Sequence, residues 1–151
     1  MRIVQDDLTG AEIADLLRYH LAEAHRNSPP GSVFAFDIDR LRAPDVTFWS
    51  AWDGPELAGC AALKELAPRH GEVKSMRTSP AHLRKGVATQ LIAHLTAQAR
   101  ERGYVRLSLE TGSGDAYEPA LTLYRRHGFI AGEAFGDYER SAFNQFFHLD
   151  L

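Results

Sequence analysis

The chain has little cysteine and no long hydrophobic run. Its one cysteine, Cys60, excludes an intramolecular disulfide framework and a zinc site built from several cysteines. The run of small and apolar residues at 58–63 is far shorter than the ~20 residues that a bilayer crossing needs. The first residues become acidic at Asp6 without forming the apolar core of a signal peptide. We therefore expect a cytoplasmic protein that has no membrane partner.

A strong charge of one sign is also missing. The net charge is −3, from 17 basic and 20 acidic side chains. Only residues 69–88 are clearly basic, with five basic side chains and one acidic side chain. Because nucleic-acid binding usually needs a broad basic face, this short segment favours a compact anionic ligand over nucleic acid. A basic turn that is simply solvated is the alternative interpretation.

The 151 residues contain no repeat, low-complexity tract or Gly/Ser linker, which predicts a single domain, 1–151. Hydrophobic periodicity predicts the element order β-α-(short α)-β-β-β-α-β-α-β-β, and therefore an α/β fold around one mixed sheet. Thr9 is expected to cap the first helix, with Glu12 in the capping-box position. The predicted strands are 2–5, 46–52, 57–66, 72–78, 104–109, 129–130 and 143–149, and the predicted helices are 9–26, 37–41, 86–103 and 119–128.

The segment 76–89 contains the pattern that carries chemistry. It changes from a strand, through Pro80 and a basic turn, to Gly86 and a helix. A helix start presents unpaired backbone N–H groups and the positive end of the helix dipole. Gly86 and Ala88 leave room for an anion to approach, and Arg84 and Lys85 add positive charge. The pattern predicts a phosphate site, although a glycine that only caps the helix remains the alternative.

Two motifs in this part of the chain resemble a known family. The turn 83–88, Leu-Arg-Lys-Gly-Val-Ala, is similar to the Arg/Gln-x-x-Gly-x-Gly/Ala signature of the GNAT superfamily of N-acetyltransferases, with Leu83 at the leading position. The segment 123–129, Leu-Tyr-Arg-Arg-His-Gly-Phe, is similar to the family's Leu-Tyr-x-x-x-Gly-Phe. The segment 107–113 followed by Pro119 and Ala120 resembles the bacterial YsnE-like branch.

The resemblance implies a GNAT-like mixed sheet flanked by helices on both faces. It implies direct transfer of an acetyl group from acetyl-CoA to the amine of a small-molecule or amino-acid-like acceptor, without a metal. A homodimer is the assembly that it suggests. The expected contacts with acetyl-CoA are Met76, Arg77, Thr78, Arg84, Lys85, Gly86, Val87, Ala88 and Thr89. Tyr117 stands where many family members have an asparagine.

The catalytic roles follow from the same resemblance and from proton chemistry. An attacking amine must first lose a proton, because free ammonium groups with a pKa of about 10 are mostly charged at neutral pH. Glu110, at the end of a strand, is the first candidate base and Glu72 the second. Either one is alternatively a carboxylate at the rim of the site, paired with a basic residue. Tyr124 matches the family's general acid, although a buried tyrosine alone would indicate packing.

Two further expectations concern function and surface residues. A module that binds coenzyme A as a sensor, without catalysis, would share the same phosphate site and is the alternative function. His20 and His25 could line the cleft for the acceptor, but surface positions are favoured for both. The histidines show no spacing that names a metal site.

Overall fold

The computed structural model describes residues 1–151 and contains one continuous mixed sheet. Its strands are β1 (Arg2–Gln5), β2 (Val46–Asp53), β3 (Glu56–Ala67), β4 (His70–Thr78), β5 (Arg106–Thr111), β6 (Ile130–Ala131) and β7 (Gln145–Asp150). Its helices are α1 (Ala11–Arg26), α2 (Ile38–Leu41), α3 (Val87–Glu101) and α4 (Glu118–Arg126). The strands lie in the order β1-β2-β3-β4-β5-β7-β6. The predicted α/β fold and mixed sheet are confirmed.

The sheet is antiparallel except between β4 and β5, which are parallel and are joined by α3. A parallel pair needs a crossover of this kind, because a tight turn cannot connect two strands that run the same way. The two strands pair only from His70↔Arg106 to Glu72↔Ser108. Beyond Glu72 they separate, so the sheet has a gap at its centre.

Helices cover both faces of the sheet, as the family resemblance implied. On one face, α3 and α4 pack on the sheet through a cluster that includes Leu91, Leu95 and Leu121. On the other face, α1 and α2 pack through a second cluster that includes Ile13 and Leu41. Residues 60–63 of β3 alternate between the two clusters, because neighbouring side chains of a strand point to opposite faces. Since helices lie on both faces, the gap between β4 and β5 has a helical layer on each side.

The N-cap of helix α1 lies one residue later in the chain than predicted. Gly10, not Thr9, is its N-cap, and no side chain caps the helix. The hydroxyl of Thr9 donates to Asp7 at 2.6 Å and accepts no hydrogen bond from the N–H groups of the first turn. The capping-box prediction of Thr9 with Glu12 was therefore wrong.

Strands β5 and β7 each begin two residues later than predicted, for local reasons. The N–H of Tyr104 still donates to Ala99 in α3, so β5 begins at Arg106 instead of residue 104. Val105 precedes the strand and is exposed. The backbone N–H of Ser141 donates to Asn144 Oδ1 at 2.7 Å, and this turn delays the last strand to Gln145.

None of the helices combines the length and the apolar character needed to cross a membrane.

Candidate active site

A cavity of about 440 Å³ fills the gap where β4 and β5 separate. It extends from α1 on one face of the sheet to α4 on the other. Its polar lining includes His20, Glu72, Lys74, Arg77, Glu110 and Tyr124. Both candidate bases and the candidate acid therefore line one cavity, although they come from three different elements of the chain.

Strand β4 contains a bulge where it borders this cavity. Cys60 pairs with Arg77 and Ala62 with Lys74, so two residues of β4, Ser75 and Met76, lie opposite one residue of β3. Ser75 has a φ of +53°, which is rare for a residue other than glycine. Bulges of this kind occur often beside active sites, because they redirect the backbone and interrupt the ladder.

The bulged part of β4 also lacks a strand on its second side. Strand β5 pairs with β4 only as far as Glu72, so the backbone groups of residues 73–78 that face β5 have no strand partner. An extended ligand can form hydrogen bonds with such groups as a missing strand would. The predicted cofactor contacts Met76 and Thr78 lie in this segment.

The predicted phosphate site is an uncapped helix start. Helix α3 begins at Val87, and its N-cap Gly86 has a φ of +79° and no side-chain cap. A Cβ atom at position 86 would meet no other atom within 4 Å. The first helical bond is donated by Gln90 to Gly86 at 3.1 Å, so the N–H groups of Val87, Ala88 and Thr89 precede the helical ladder.

The geometry of the phosphate site suits an elongated anion. Arg84, Lys85 and Gly86 are exposed at the start of α3 and do not line the cavity, whereas Met76 and Arg77 do. A ligand that uses both regions must extend along β4 from the cavity to α3. Leu83, at the leading position of the motif, is 60% exposed and contributes no charge.

Glu110 has the ionisation that a base at neutral pH requires. Burial raises the pKa of this carboxyl to about 7, with Lys74 opposing the rise and Glu72 adding to it. At neutral pH, a large share of Glu110 is therefore ionised and able to accept a proton.

Glu72, the second candidate, is held by its neighbours. Only 2% of the residue is exposed. Its Oε2 atom accepts a hydrogen bond of 2.5 Å from the Tyr138 hydroxyl and lies 3.4 Å from Lys74 Nζ. Both candidates line the cavity, but Glu72 is engaged in a buried ion pair.

Tyr124 lies on α4 at the opposite side of the gap. It is 8% exposed, and its ring packs against Phe129 with centroids 5.8 Å apart. Burial raises the pKa of its hydroxyl to about 12, while the charge of Arg77 opposes the rise. The hydroxyl is therefore protonated at neutral pH, and no protein group forms a hydrogen bond with it.

His20 lines the cavity, which agrees with the alternative position in the cleft and not with the favoured surface position, whereas His25 is exposed as favoured. Arg77 Nε donates to His20 Nδ1 at 2.9 Å. Burial, together with the charges of Arg77 and Lys74, lowers the pKa of His20 to about 4. His20 is therefore a neutral hydrogen-bond acceptor at neutral pH, and it fixes the side chain of Arg77, a predicted cofactor contact.

Sequence reasoning did not find the contacts that three residues make in the site. Lys74 and Tyr138 bind Glu72, and the Tyr117 hydroxyl lies 2.6 Å from Ser28 Oγ, which joins the end of α1 to the segment before α4. Glu72 and Lys74 stand two residues apart on a strand, so their side chains share one face. In a strand with neighbours on both sides, this spacing was a usable signal for a buried ion pair. Tyr138 lies in a loop and had no such signal.

No group of three or more His, Cys, Asp or Glu side chains is arranged to hold a metal ion.

Comparison with known proteins gives consistent results for sequence and structure. The model of the acetyltransferase (GNAT) family matches residues 13–129. The chain is 56% identical over 138 residues to YsnE of Bacillus subtilis (strain 168), described as an uncharacterized N-acetyltransferase, covering 91% of each chain. It is 45% identical over 149 residues to YedL of Escherichia coli (strain K12), which has the same description, covering 99% of this chain and 94% of YedL.

Solved structures share the fold over almost the whole chain. A Klebsiella pneumoniae structure matches with a TM-score of 0.80 and 26% identity, covering 99% of this chain and 97% of that one. The crystal structure of a Bacillus subtilis acetyltransferase in complex with CoA matches with a TM-score of 0.74 and 23% identity, covering 99% and 98%. The family match, the close relatives and the shared fold together show that this chain belongs to the GNAT acetyltransferase family, in its YsnE-like branch.

Proposed function

We propose that this acetyltransferase moves an acetyl group directly from acetyl-CoA to the amine of a small-molecule or amino-acid-like acceptor. The observation that carries the proposal is the pairing of Glu110 and Tyr124 in one cavity, with pKa values of about 7 and about 12. A carboxyl with a pKa near neutrality and a hydroxyl that stays protonated are suited to act as base and acid at the same pH.

Glu110 is the proposed base. Its carboxylate takes a proton from the acceptor ammonium, directly or through water, and the neutral nitrogen then attacks the thioester carbonyl carbon. A C–N bond forms and the C–S bond breaks, so that coenzyme A leaves as a thiolate. Glu72 is the less suitable base, because its carboxylate already accepts hydrogen bonds from Tyr138 and Lys74.

Tyr124 is the proposed acid. Its hydroxyl is protonated at neutral pH, forms no hydrogen bond within the protein and borders the cavity. It donates its proton to the departing sulfur, which converts the thiolate to a thiol and disfavours the reverse reaction. As the amide forms, the nitrogen releases its second proton to water, and the tyrosinate regains a proton from water. Packing of the ring on Phe129 fixes the direction of the hydroxyl.

The start of α3 is the proposed site for the pyrophosphate of acetyl-CoA. The uncapped N–H groups of Val87, Ala88 and Thr89 supply donors, and Arg84 and Lys85 supply positive charge. The unpaired edge of β4, with Met76 and Thr78, is proposed to bind the amides of the pantetheine arm. CoA in the complex of the related Bacillus subtilis acetyltransferase supports this choice of co-substrate.

Direct transfer is favoured over an acyl-cysteine intermediate. Cys60 has no exposed surface, and burial raises the pKa of its thiol to about 12. It does not line the cavity, and its Sγ donates to the Ser75 carbonyl at 3.3 Å. A thiol in this state supplies almost no thiolate at neutral pH.

The size of the cavity supports a small acceptor, since about 440 Å³ falls within the range of pockets for small molecules. A homodimer, a cytoplasmic location and a single domain stay predictions, and analytical ultracentrifugation would test the first.

A thiol-release assay over a panel of amines, amino acids and short peptides tests the proposed function. We expect acetyl-CoA and at least one small amine to yield free thiol and an N-acetylated product, both with slower rates in Glu110→Gln and Tyr124→Phe. Tight binding of acetyl-CoA without thiol release for any amine would contradict it and favour the sensor alternative.

A further inference from the structure

Lys74 is a buried cation at the wall of the cavity, and three acceptors surround its ammonium group. Its Nζ donates to the Tyr138 hydroxyl oxygen at 2.8 Å, to the Phe34 carbonyl at 3.2 Å and to Glu72 Oε2 at 3.4 Å. Three donated bonds require three N–H groups, which only the protonated form of lysine has. The residue is 7% exposed, so water contributes little to these contacts.

The surroundings fix the position of this charge. The Lys74 Nζ atom lies 4.1 Å from the centroid of the Phe36 ring. Phe34 and Tyr138 come from two separate loops and pack edge to face, with centroids 5.3 Å apart. The ammonium group is thereby held between the loop before α2, the loop before β7 and the strand β4.

Lys74 also lies across the gap from the proposed base. The parallel pair Glu72↔Ser108 places Lys74 on β4 and Glu110 on β5 each two residues further along, and both residues line the cavity. Lys74 lowers the pKa of Glu110, whereas Glu72 raises it. Its hydrogen bonds go to Phe34, Glu72 and Tyr138, so it acts on Glu110 by charge alone.

We propose that Lys74 is a positioning residue for catalysis, whose buried charge balances the two carboxylates Glu72 and Glu110 so that Glu110 is available to accept the acceptor's proton. This inference rests on the proposed function, in which Glu110 is the base.

The charged and titratable groups around Glu110 come from every wall of the cavity. Strand β4 supplies Glu72, Lys74 and Arg77; helix α1 supplies His20, Glu23 and Arg26; the loop before β7 supplies Tyr138; and the segment 115–126 supplies Tyr117 and Tyr124. His20 is neutral at neutral pH, and Tyr124 and Tyr138 have raised pKa values that keep them neutral. Among these groups, Glu72 and Lys74 are the two that act on the ionisation of Glu110.

Removing the charge of Lys74 should therefore raise the pKa of Glu110, whereas removing the charge of Glu72 should lower it. Without the charge of Lys74, Glu110 faces the Glu72 carboxylate alone, and a like charge disfavours its ionised form. Without the charge of Glu72, Glu110 faces Lys74 alone and ionises more readily.

The test is a pH titration of the Glu110 carboxyl carbon by NMR in the full-length chain. The signal is assigned with Glu110→Gln. We expect a midpoint near 7 in the wild type, a midpoint higher by about 1 pH unit or more in Lys74→Met, and a lower midpoint in Glu72→Gln. Lys74→Arg, which keeps the charge, should restore a midpoint near the wild-type value. Midpoints that stay unchanged, or that move the same way in both variants, would overturn the proposal.

The measurement also separates this inference from the proposed function. If the midpoints diverge, and the pH below which kcat/KM falls (the acid limb of its pH profile) shifts with them, the inference about Lys74 and the proposed role of Glu110 are both supported. If the midpoints diverge and the acid limb does not follow, Lys74 governs Glu110 but Glu110 is not the base. Should Lys74→Met fail to fold, the direction of the shift in Glu72→Gln decides, because an upward or absent shift there contradicts the proposed charge balance.

Discussion

Arg77 Nε donates a hydrogen bond of 2.9 Å to His20 Nδ1, which ties strand β4 to helix α1 at the wall of the active-site cavity. The bond requires an unprotonated Nδ1, so the native fold holds His20 in its neutral form. Burial and the nearby charges of Arg77 and Lys74 lower the pKa of His20 to about 4.

This pairing predicts a loss of stability in mild acid. Between pH 6.5 and about 4 the unfolded chain protonates His20 and the native chain does not, so the free energy of unfolding falls as the pH falls through this window. His20→Gln keeps an acceptor for Arg77 and cannot titrate. Between pH 7 and pH 5, we expect the wild type to lose on the order of 1 kcal/mol more than the variant in urea unfolding. Equal losses would show that His20 is not held neutral.

Glu110→Gln should remove the acid limb of the pH–rate profile. A base with a pKa of about 7 is active only when ionised, so kcat/KM in the wild type should fall as the pH falls through about 7. At pH 8 we expect the variant to be slower by about 100-fold and nearly independent of pH in this range. Glu118→Gln, at an exposed carboxylate outside the cavity, serves as the matched control and should behave as the wild type. An acid limb that persists in Glu110→Gln would assign the base to another group.

Tyr124→Phe should slow turnover without weakening the binding of coenzyme A. The change removes only the hydroxyl and keeps the ring that packs on Phe129. We expect kcat to fall by about 100-fold, as is common when a general acid is lost, and the Kd for coenzyme A to change by less than about twofold. Isothermal titration and the thiol-release assay measure the two quantities. A wild-type kcat in the variant would remove Tyr124 from the mechanism.

Gly86→Glu should abolish the rise in Tm that acetyl-CoA produces. A ligand that binds only the native state raises the Tm by mass action, and a carboxylate at this position would occupy the anion site with negative charge. Any side chain at the φ of +79° is strained, so the matched control is Gly86→Asn, because asparagine tolerates this conformation best. We expect the asparagine variant to keep most of the ligand-induced shift. Equal shifts in the wild type and both variants would place the phosphates elsewhere.

The parts of the site that depend on local patterns were accessible from the sequence. A glycine at the start of a periodic apolar stripe predicts an uncapped helix terminus, and the structure shows this terminus at Gly86. The two family motifs implied the fold, and the separation of β4 and β5 is a property of that fold. Glu110 and Tyr124 followed from their positions in that fold, and their assigned roles stay predictions.

The parts that depend on distant contacts were not accessible. A surface position was favoured for His20 over the cleft, since a helical pattern alone does not show which residues face a gap in a sheet. Its partner Arg77 lies on another element. Tyr138 reaches Glu72 from a loop that has no regular period. The predicted cap of α1 was wrong by one residue, since Thr9 is bound to Asp7 through both its backbone N–H and its hydroxyl and Gly10 is the N-cap.

A crystal structure with coenzyme A bound tests the central claim most directly. The account predicts that the pyrophosphate accepts hydrogen bonds from the N–H groups of Val87, Ala88 and Thr89, and that the sulfur lies within about 4 Å of the Tyr124 hydroxyl, in the gap between β4 and β5. Coenzyme A bound at another surface, with its sulfur away from both Tyr124 and Glu110, would contradict it.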